Sequence, residues 1–144
     1  MVVNFSQFMK ANKKVKENTT YAATKSIVDK DGNPVLWELR PISSKENTEI
    51  RESCMKEIPI KGKTGMYRQK INTSEYISKL LVASCVTPDL YDAALQDSYG
   101  VKTPEELLFA LVDDPGEYDD FSAFVQKFNG FTTSFEDKVE DAKN

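Results

Sequence analysis

Apolar residues bunch along this chain into stretches whose spacing switches between helical and strand-like periods. The longest runs from Asn72 to Gly100 and is the least polar segment of its size. Within it Tyr76, Ile77, Leu80, Leu81 and Ser84 recur at helical intervals, and Val82, Cys85 and Val86 widen the apolar surface. A helix that is apolar around most of its circumference is covered on several sides, so this one is expected at the centre of the fold. Asn72 with Glu75 three positions on has the form of a capping box, with Thr73 as the alternative cap. Pro88 is expected to stop the helix, since it lacks an amide hydrogen and disfavours helical backbone at Thr87. A shorter helix through Ala93, Ala94 and Leu95 then ends at Gly100, a residue suited to the left-handed conformation beyond a last helical turn.

Ahead of this centre the pattern is mixed. Phe5, Phe8 and Met9 share a face of a short predicted helix from Asn4 to Ala11, capped by Asn4. Thr19 to Val28 reads as a strand and Val35 to Ile42 as its return, joined by a turn whose Asp31-Gly32 pair suits positive φ angles. On the return, Val35, Trp37 and Leu39 alternate with Leu36, Glu38 and Arg40, which leaves one side more apolar. Ser43 and Glu46 form another capping box, opening a helix predicted from about Ser44 to Lys56 with Ile50 and Cys54 inward and Pro59 beyond its end. Ile58 to Ile71 is a polar hairpin or extended loop with Gly62 and Gly65 near its tip. Pairing it with the first hairpin in a small antiparallel sheet would bury Trp37.

Beyond the centre two further helices are predicted. Thr103-Pro104-Glu105-Glu106 supplies an N-cap, a proline at the first position and acids at the positive end of one. Asp114-Pro115 opens the other, with Phe121, Phe124, Val125 and Phe128 on one stripe and Asn129-Gly130 as its stop. The expected class is α+β, mostly helical in its C-terminal half, with a small antiparallel hairpin or sheet in its N-terminal half. Residues 1–131 are expected as one globular domain and residues 132–144 as an acidic amphipathic tail. Phe131, Phe135, Val139 and Ala142 form the apolar stripe of that tail, among Glu136, Asp137, Lys138 and Glu140. So short a helix is marginal alone. It docks on its own domain, docks on a neighbouring subunit of a homo-oligomer, or awaits a partner.

Composition narrows the functional classes. At 144 residues, with 40% apolar and 29% charged positions, the chain can bury a core and carries no apolar run near the ~20 residues that span a bilayer. The N-terminus has its lysines after its apolar residues and no small-residue cleavage site, which argues against a signal peptide. From Asp113 onward nine acids face three lysines, a balance of −6 that leaves +2 for the first 112 residues. That acidity argues against a nucleic-acid surface in the final third. Lys10, Lys13, Lys14 and Lys16 form the one basic run, read as a solvated helix end.

Catalytic chemistry finds little support. The chain has no histidine, which removes the commonest general base and metal ligand and every Ser-His or Cys-His arrangement. Cys54 and Cys85 stand 31 positions apart, neither metal nor redox spacing, and read as two buried thiols. Gly62-Lys63-Thr64 matches only the end of a phosphate loop, whose first glycine is replaced by Glu57. Asp29, Asp31 and Asn33 open like a calcium loop, but Pro34 and Arg40 occupy its required glycine and final acid positions. Asp113-Asp114 and Asp119-Asp120 read as helix caps rather than as an acid pair. No enzyme, cofactor or metal is expected.

Several blocks in order do carry a resemblance: Trp37-Glu38-Leu39-Arg40, Arg51-Glu52-Ser53-Cys54, Val82-Ala83-Ser84, Pro88-Asp89-Leu90, Leu95-Gln96-Asp97-Ser98-Tyr99-Gly100-Val101, Pro115-Gly116-Glu117-Tyr118 and Asn129-Gly130-Phe131. Together they resemble the XkdN-like tail assembly chaperones of PBSX-type and other prophages of Gram-positive bacteria, with Leu95–Val101 the most specific block. The resemblance implies a non-catalytic protein of the bacterial host cytoplasm. It would bind the tape measure protein, help recruit tail-tube subunits, and be absent from the finished particle, with no nucleic acid or membrane as partner. The residues proposed for partner binding are Phe131, Phe135 and Val139 on the tail, and Leu90, Leu95 and Tyr99 on the preceding helical corner. A structural tail-completion or connector protein and a small regulatory adapter are the alternative readings.

Overall fold

The computed structural model describes residues 4–132. Two short 3-10 turns, Phe5–Phe8 and Lys10–Asn12, lead into strand β1 (Thr19–Tyr21) and strand β2 (Trp37–Leu39). Helix α1 (Ser44–Ser53) is followed by a hairpin of β3 (Met55–Pro59) and β4 (Tyr67–Ile71), then helix α2 (Thr73–Ser84) and strand β5 (Cys85–Thr87). Helices α3 (Ala93–Ser98), α4 (Pro104–Leu111) and α5 (Pro115–Phe128) complete the order. This is an α+β fold with its helices mainly in the C-terminal half.

Helix α2 lies at the centre, packed against α1, α4, α5 and β5. Its buried residues Tyr76, Ile77, Leu80, Leu81 and Val82 surround most of its axis, as the apolar spacing requires. Asn72 caps it, accepting from the Glu75 amide at 3.1 Å. The predicted caps at Ser43, Thr103 and Asp114 likewise accept from amides of the first turn of α1, α4 and α5. Asp113, Asp119 and Asp120 are exposed and flank or follow that first turn of α5, so of the four acids Asp114 is the one that caps.

Three expectations are corrected. Cys85 and Val86 do not extend α2: the helix stops at Ser84, and β5 pairs with β2, Leu39 opposite Cys85. The reason is long-range. Strand β2 is already paired with β1 on one side, and its other edge needs hydrogen-bonding partners, which the β-branched Val86 and Thr87 are suited to supply in extended backbone. The second correction concerns the hairpins. β3–β4 forms its own two-stranded sheet and does not join β1–β2, and Trp37 is buried instead edge-on against Phe121 of α5, 5.5 Å between ring centroids. Third, Asn4 to Ala11 is not one short helix but falls into the 3-10 turns Phe5–Phe8 and Lys10–Asn12. Phe5, Phe8 and Met9 are exposed, with Asn4 capping only a single 3-10 turn.

Predicted strands and helices also prove shorter at their edges. β1 spans three residues where Thr19–Val28 was expected, because the chain turns at the buried Ala23 and Thr24 and is held there by Glu117, whose carboxylate accepts from Thr24 Oγ1 and the Lys25 amide, both at 2.8 Å. α1 ends at Ser53, three residues early, as Met55–Pro59 pairs over five positions with Tyr67–Ile71. Among the described residues no helix is long and apolar enough to cross a membrane.

Candidate partner-binding surfaces

An apolar hollow of about 220 Å³ opens where four elements meet. One wall is the turn between β1 and β2. There Asp29 Oδ1 accepts from the amides of Asp31 (2.9 Å) and Asn33 (3.0 Å), and Gly32 takes the positive φ of +83° that this tight turn needs. Val28 bridges to Pro34, and the Val35 amide donates to the Ile27 carbonyl at 2.9 Å, so Ile27 and Val35 are held side by side. The calcium-loop likeness thus resolves into a turn.

The facing wall is α3. Asp92 caps it through the Leu95 amide (2.9 Å), Gln96 Nε2 donates to the Leu90 carbonyl (2.8 Å), and Gly100 ends it at a φ of +68°. Leu95 and Tyr99, one turn apart, both line the hollow. Trp37, Thr87, Pro88 and Leu111 complete the lining. Leu36 is 60% exposed and Tyr99 43% exposed, and Val28 and Val86 are also exposed large apolar residues in the flanking segments.

The residues singled out from the sequence are therefore divided. Leu95 and Tyr99 come together in this hollow. Leu90 is 1% exposed, belongs to the core and does not line the hollow. Phe131 lines a separate cleft of about 90 Å³ with Ile42, Ser43, Ser44, Asn47, Leu80 and Asn129. Phe135 and Val139 lie outside the described residues. Ile27, Val35 and Leu36 were missed, although Leu36 carried a signal, a leucine in phase with Glu38 and Arg40 on the polar side of a predicted strand.

A third concavity, about 520 Å³, is lined by Lys10, Lys13, Lys14, Val15, Lys16, Pro41, Ile42, Ser43 and Glu46. Lys16 anchors this wall. Its ammonium donates to the Phe128 carbonyl at the C-terminal end of α5 (2.5 Å) and lies 5.3 Å from the centre of the Phe128 ring. The lysine run thus starts in the Lys10–Asn12 3-10 turn, passes its Lys13 cap into an irregular exposed segment, and is fastened through Lys16 to the end of α5.

Burial, then the nearby Asp89, pushes the Cys85 thiol up to about 12, so it stays protonated at neutral pH. Among the described residues no three acidic or cysteine side chains gather as a metal site. Gly62 and Gly65 take positive φ in the β3–β4 tip, and a strand follows it where a phosphate loop needs a helix.

Residues 5–143 match the family described as phage XkdN-like tail assembly chaperone proteins. The chain belongs to that family. It is 25% identical to the phage-like element PBSX protein XkdN of Bacillus subtilis (strain 168) over 143 residues, covering 99% of this chain and 95% of that protein. The uncharacterized protein YqbN of the same strain is 24% identical over 143 residues, with 99% and 95% covered. The crystal structure of YqbN superposes with a TM-score of 0.74 at 21% identity, covering 91% of this chain and 99% of that one. That likeness concerns the fold.

Proposed function

We propose that this tail assembly chaperone is non-catalytic and works in the host cytoplasm, binding the tape measure protein and helping to recruit tail-tube subunits. The observation that supports client binding is the apolar hollow rimmed by Leu36, Val35 and Tyr99. A client whose helices expose apolar residues before assembly needs a surface of this kind, concave and apolar with adaptable side chains at its rim. The tail stripe of Phe131, Phe135 and Val139 supplies or covers a second contact surface that alternates between the chain's own domain and a client, residues 132–144 being a segment distinct from the domain of residues 1–131.

The test is co-expression with the tape measure protein. The unaltered chain should keep that protein soluble and co-purify with it. Leu36→Glu with Tyr99→Glu, both exposed, should lower the co-purified amount roughly tenfold, as loss of central anchors does at interfaces. A tape measure protein that is soluble alone and never co-purifies overturns the reading. A chain found in purified particles by mass spectrometry would make it a structural connector instead.

A further inference from the structure

The groove of Lys10, Lys13, Lys14 and Lys16 combines four cationic side chains with the apolar Val15, Pro41 and Ile42. Its one acid, Glu46, is committed to Arg40 at 2.7 Å, and Lys16 is committed to the end of α5. Among the described residues Lys10, Lys13 and Lys14 have no acidic partner within ion-pair distance. Like charges held over an apolar floor favour a ligand that is acidic on one face and apolar on the other.

The chain itself contains such a segment, and the end of the described chain lies beside the groove. Phe131 lines a cleft with Ile42 and Ser43, and the same two residues line the basic groove. Residues 133–144 follow, with Glu136, Asp137, Glu140 and Asp141 against Lys138 and Lys143, and with Phe135, Val139 and Ala142 at helical spacing. As a helix these twelve residues would measure about 18 Å, at about 1.5 Å per residue. We propose that residues 133–144 dock in cis in this groove, acids toward Lys10, Lys13 and Lys14 and the Phe135–Val139 stripe toward Val15, Pro41 and Ile42. The contact rests on the amphipathic reading of the tail and needs no client, so it stands or falls separately from the chaperone activity.

Hydrogen exchange on the full chain tests it. Amides of residues 133–144 should exchange well below the free-chain rate, and Lys10→Glu, Lys13→Glu and Lys14→Glu together should speed them about tenfold. Adding Glu136→Lys and Glu140→Lys to that variant should restore protection. Because these three lysines are exposed, the melting temperature should hold. If it does not, Phe135→Ser with Val139→Ser, which alters only the tail, should release the same amides. Tail amides exchanging at the free-chain rate in the unaltered protein overturn the proposal, as does protection indifferent to both variants. Protection that vanishes on dilution as light scattering reports a dimer becoming monomer also overturns it, and assigns the tail to a second copy.

Discussion

The β3–β4 hairpin pairs five residues on each strand and buries almost none of them, whereas β1, β2 and β5 have three residues each and carry Trp37 and Leu39 into the core. The hairpin is held by what lies next to it in sequence: its own backbone ladder, two glycines at positive φ in the tip, and a base tied to α2. That tie consists of the Asn72 amide donating to the Cys54 carbonyl at 2.9 Å and Lys56 reaching Glu75 at 3.6 Å. The three-stranded sheet is held by what lies far away. Tyr21 stacks on Phe124 and Phe121 of α5, Trp37 meets Phe121 edge-on, and Ser84 Oγ donates to the Arg40 carbonyl at 2.8 Å. Length of pairing and contribution to stability are thus uncoupled in this molecule.

The largest effect should come from the shared centre of the second arrangement. Phe121 is fully buried and touches both Tyr21 and Trp37, so Phe121→Ala removes a core ring and leaves a cavity. Destabilisation of about 3–5 kcal/mol is expected from denaturant unfolding. A loss below about 1 kcal/mol would mean that the sheet is held by its ladder after all, and the contrast with the hairpin would collapse.

The same contrast explains what could be read from the sequence. Caps at Ser43, Asn72, Thr103 and Asp114, the glycine stops at Gly100 and Gly130, and the Gly62–Gly65 tip all act within a few residues, so local patterns identified them. Cys85 and Val86 were misread because their apolar spacing continues α2, while Leu39, the partner of Cys85, is distant in the chain. The Phe5–Phe8–Met9 face was misread because amphipathic spacing alone does not say whether a face has anything to pack on. The candidate surface was legible in half. Leu95 and Tyr99 share a helix face, but nothing local announces that Ile27, Val35 and Leu36 stand opposite.

An intermediate effect is expected where the sheet hands over to α1. Arg40, just beyond β2, forms a two-pronged pair with Glu46 in the first turn of α1, at 3.0 and 2.7 Å, and Glu46 also completes the capping box with Ser43. The hydrogen bond from Arg40, more than any other contact, holds the Glu46 carboxyl below its ordinary range. Both side chains are more than a third exposed, so solvent screening keeps the pair modest. Glu46→Gln should cost about 1 kcal/mol near neutral pH. A depressed carboxylate contributes stability above its unfolded value of about 4.3 and loses it as pH falls through the folded one. The gap between the two proteins should therefore narrow in thermal melts below about pH 4. A gap constant to the lowest pH would assign the effect to the cap alone.

The smallest effect belongs to the hairpin and bears most directly on its independence. Lys56 stands opposite Lys70 across the β3–β4 ladder, a like-charge pair that opposes the register it belongs to. Lys70→Glu turns that repulsion into attraction, worth about 0.2–1 kcal/mol, and should slow exchange of the hairpin amides up to about fivefold. Lys56 is already drawn toward Glu75, which biases the gain to the lower end. Global stability should stay within about 0.5 kcal/mol, because the altered side chain is exposed and contributes nothing to the core. If denaturant unfolding instead gains as much stability as the hairpin amides do, then β3–β4 opens only with the whole molecule. The tie through Asn72 and Cys54 would then make one cooperative unit of two regions built on different terms.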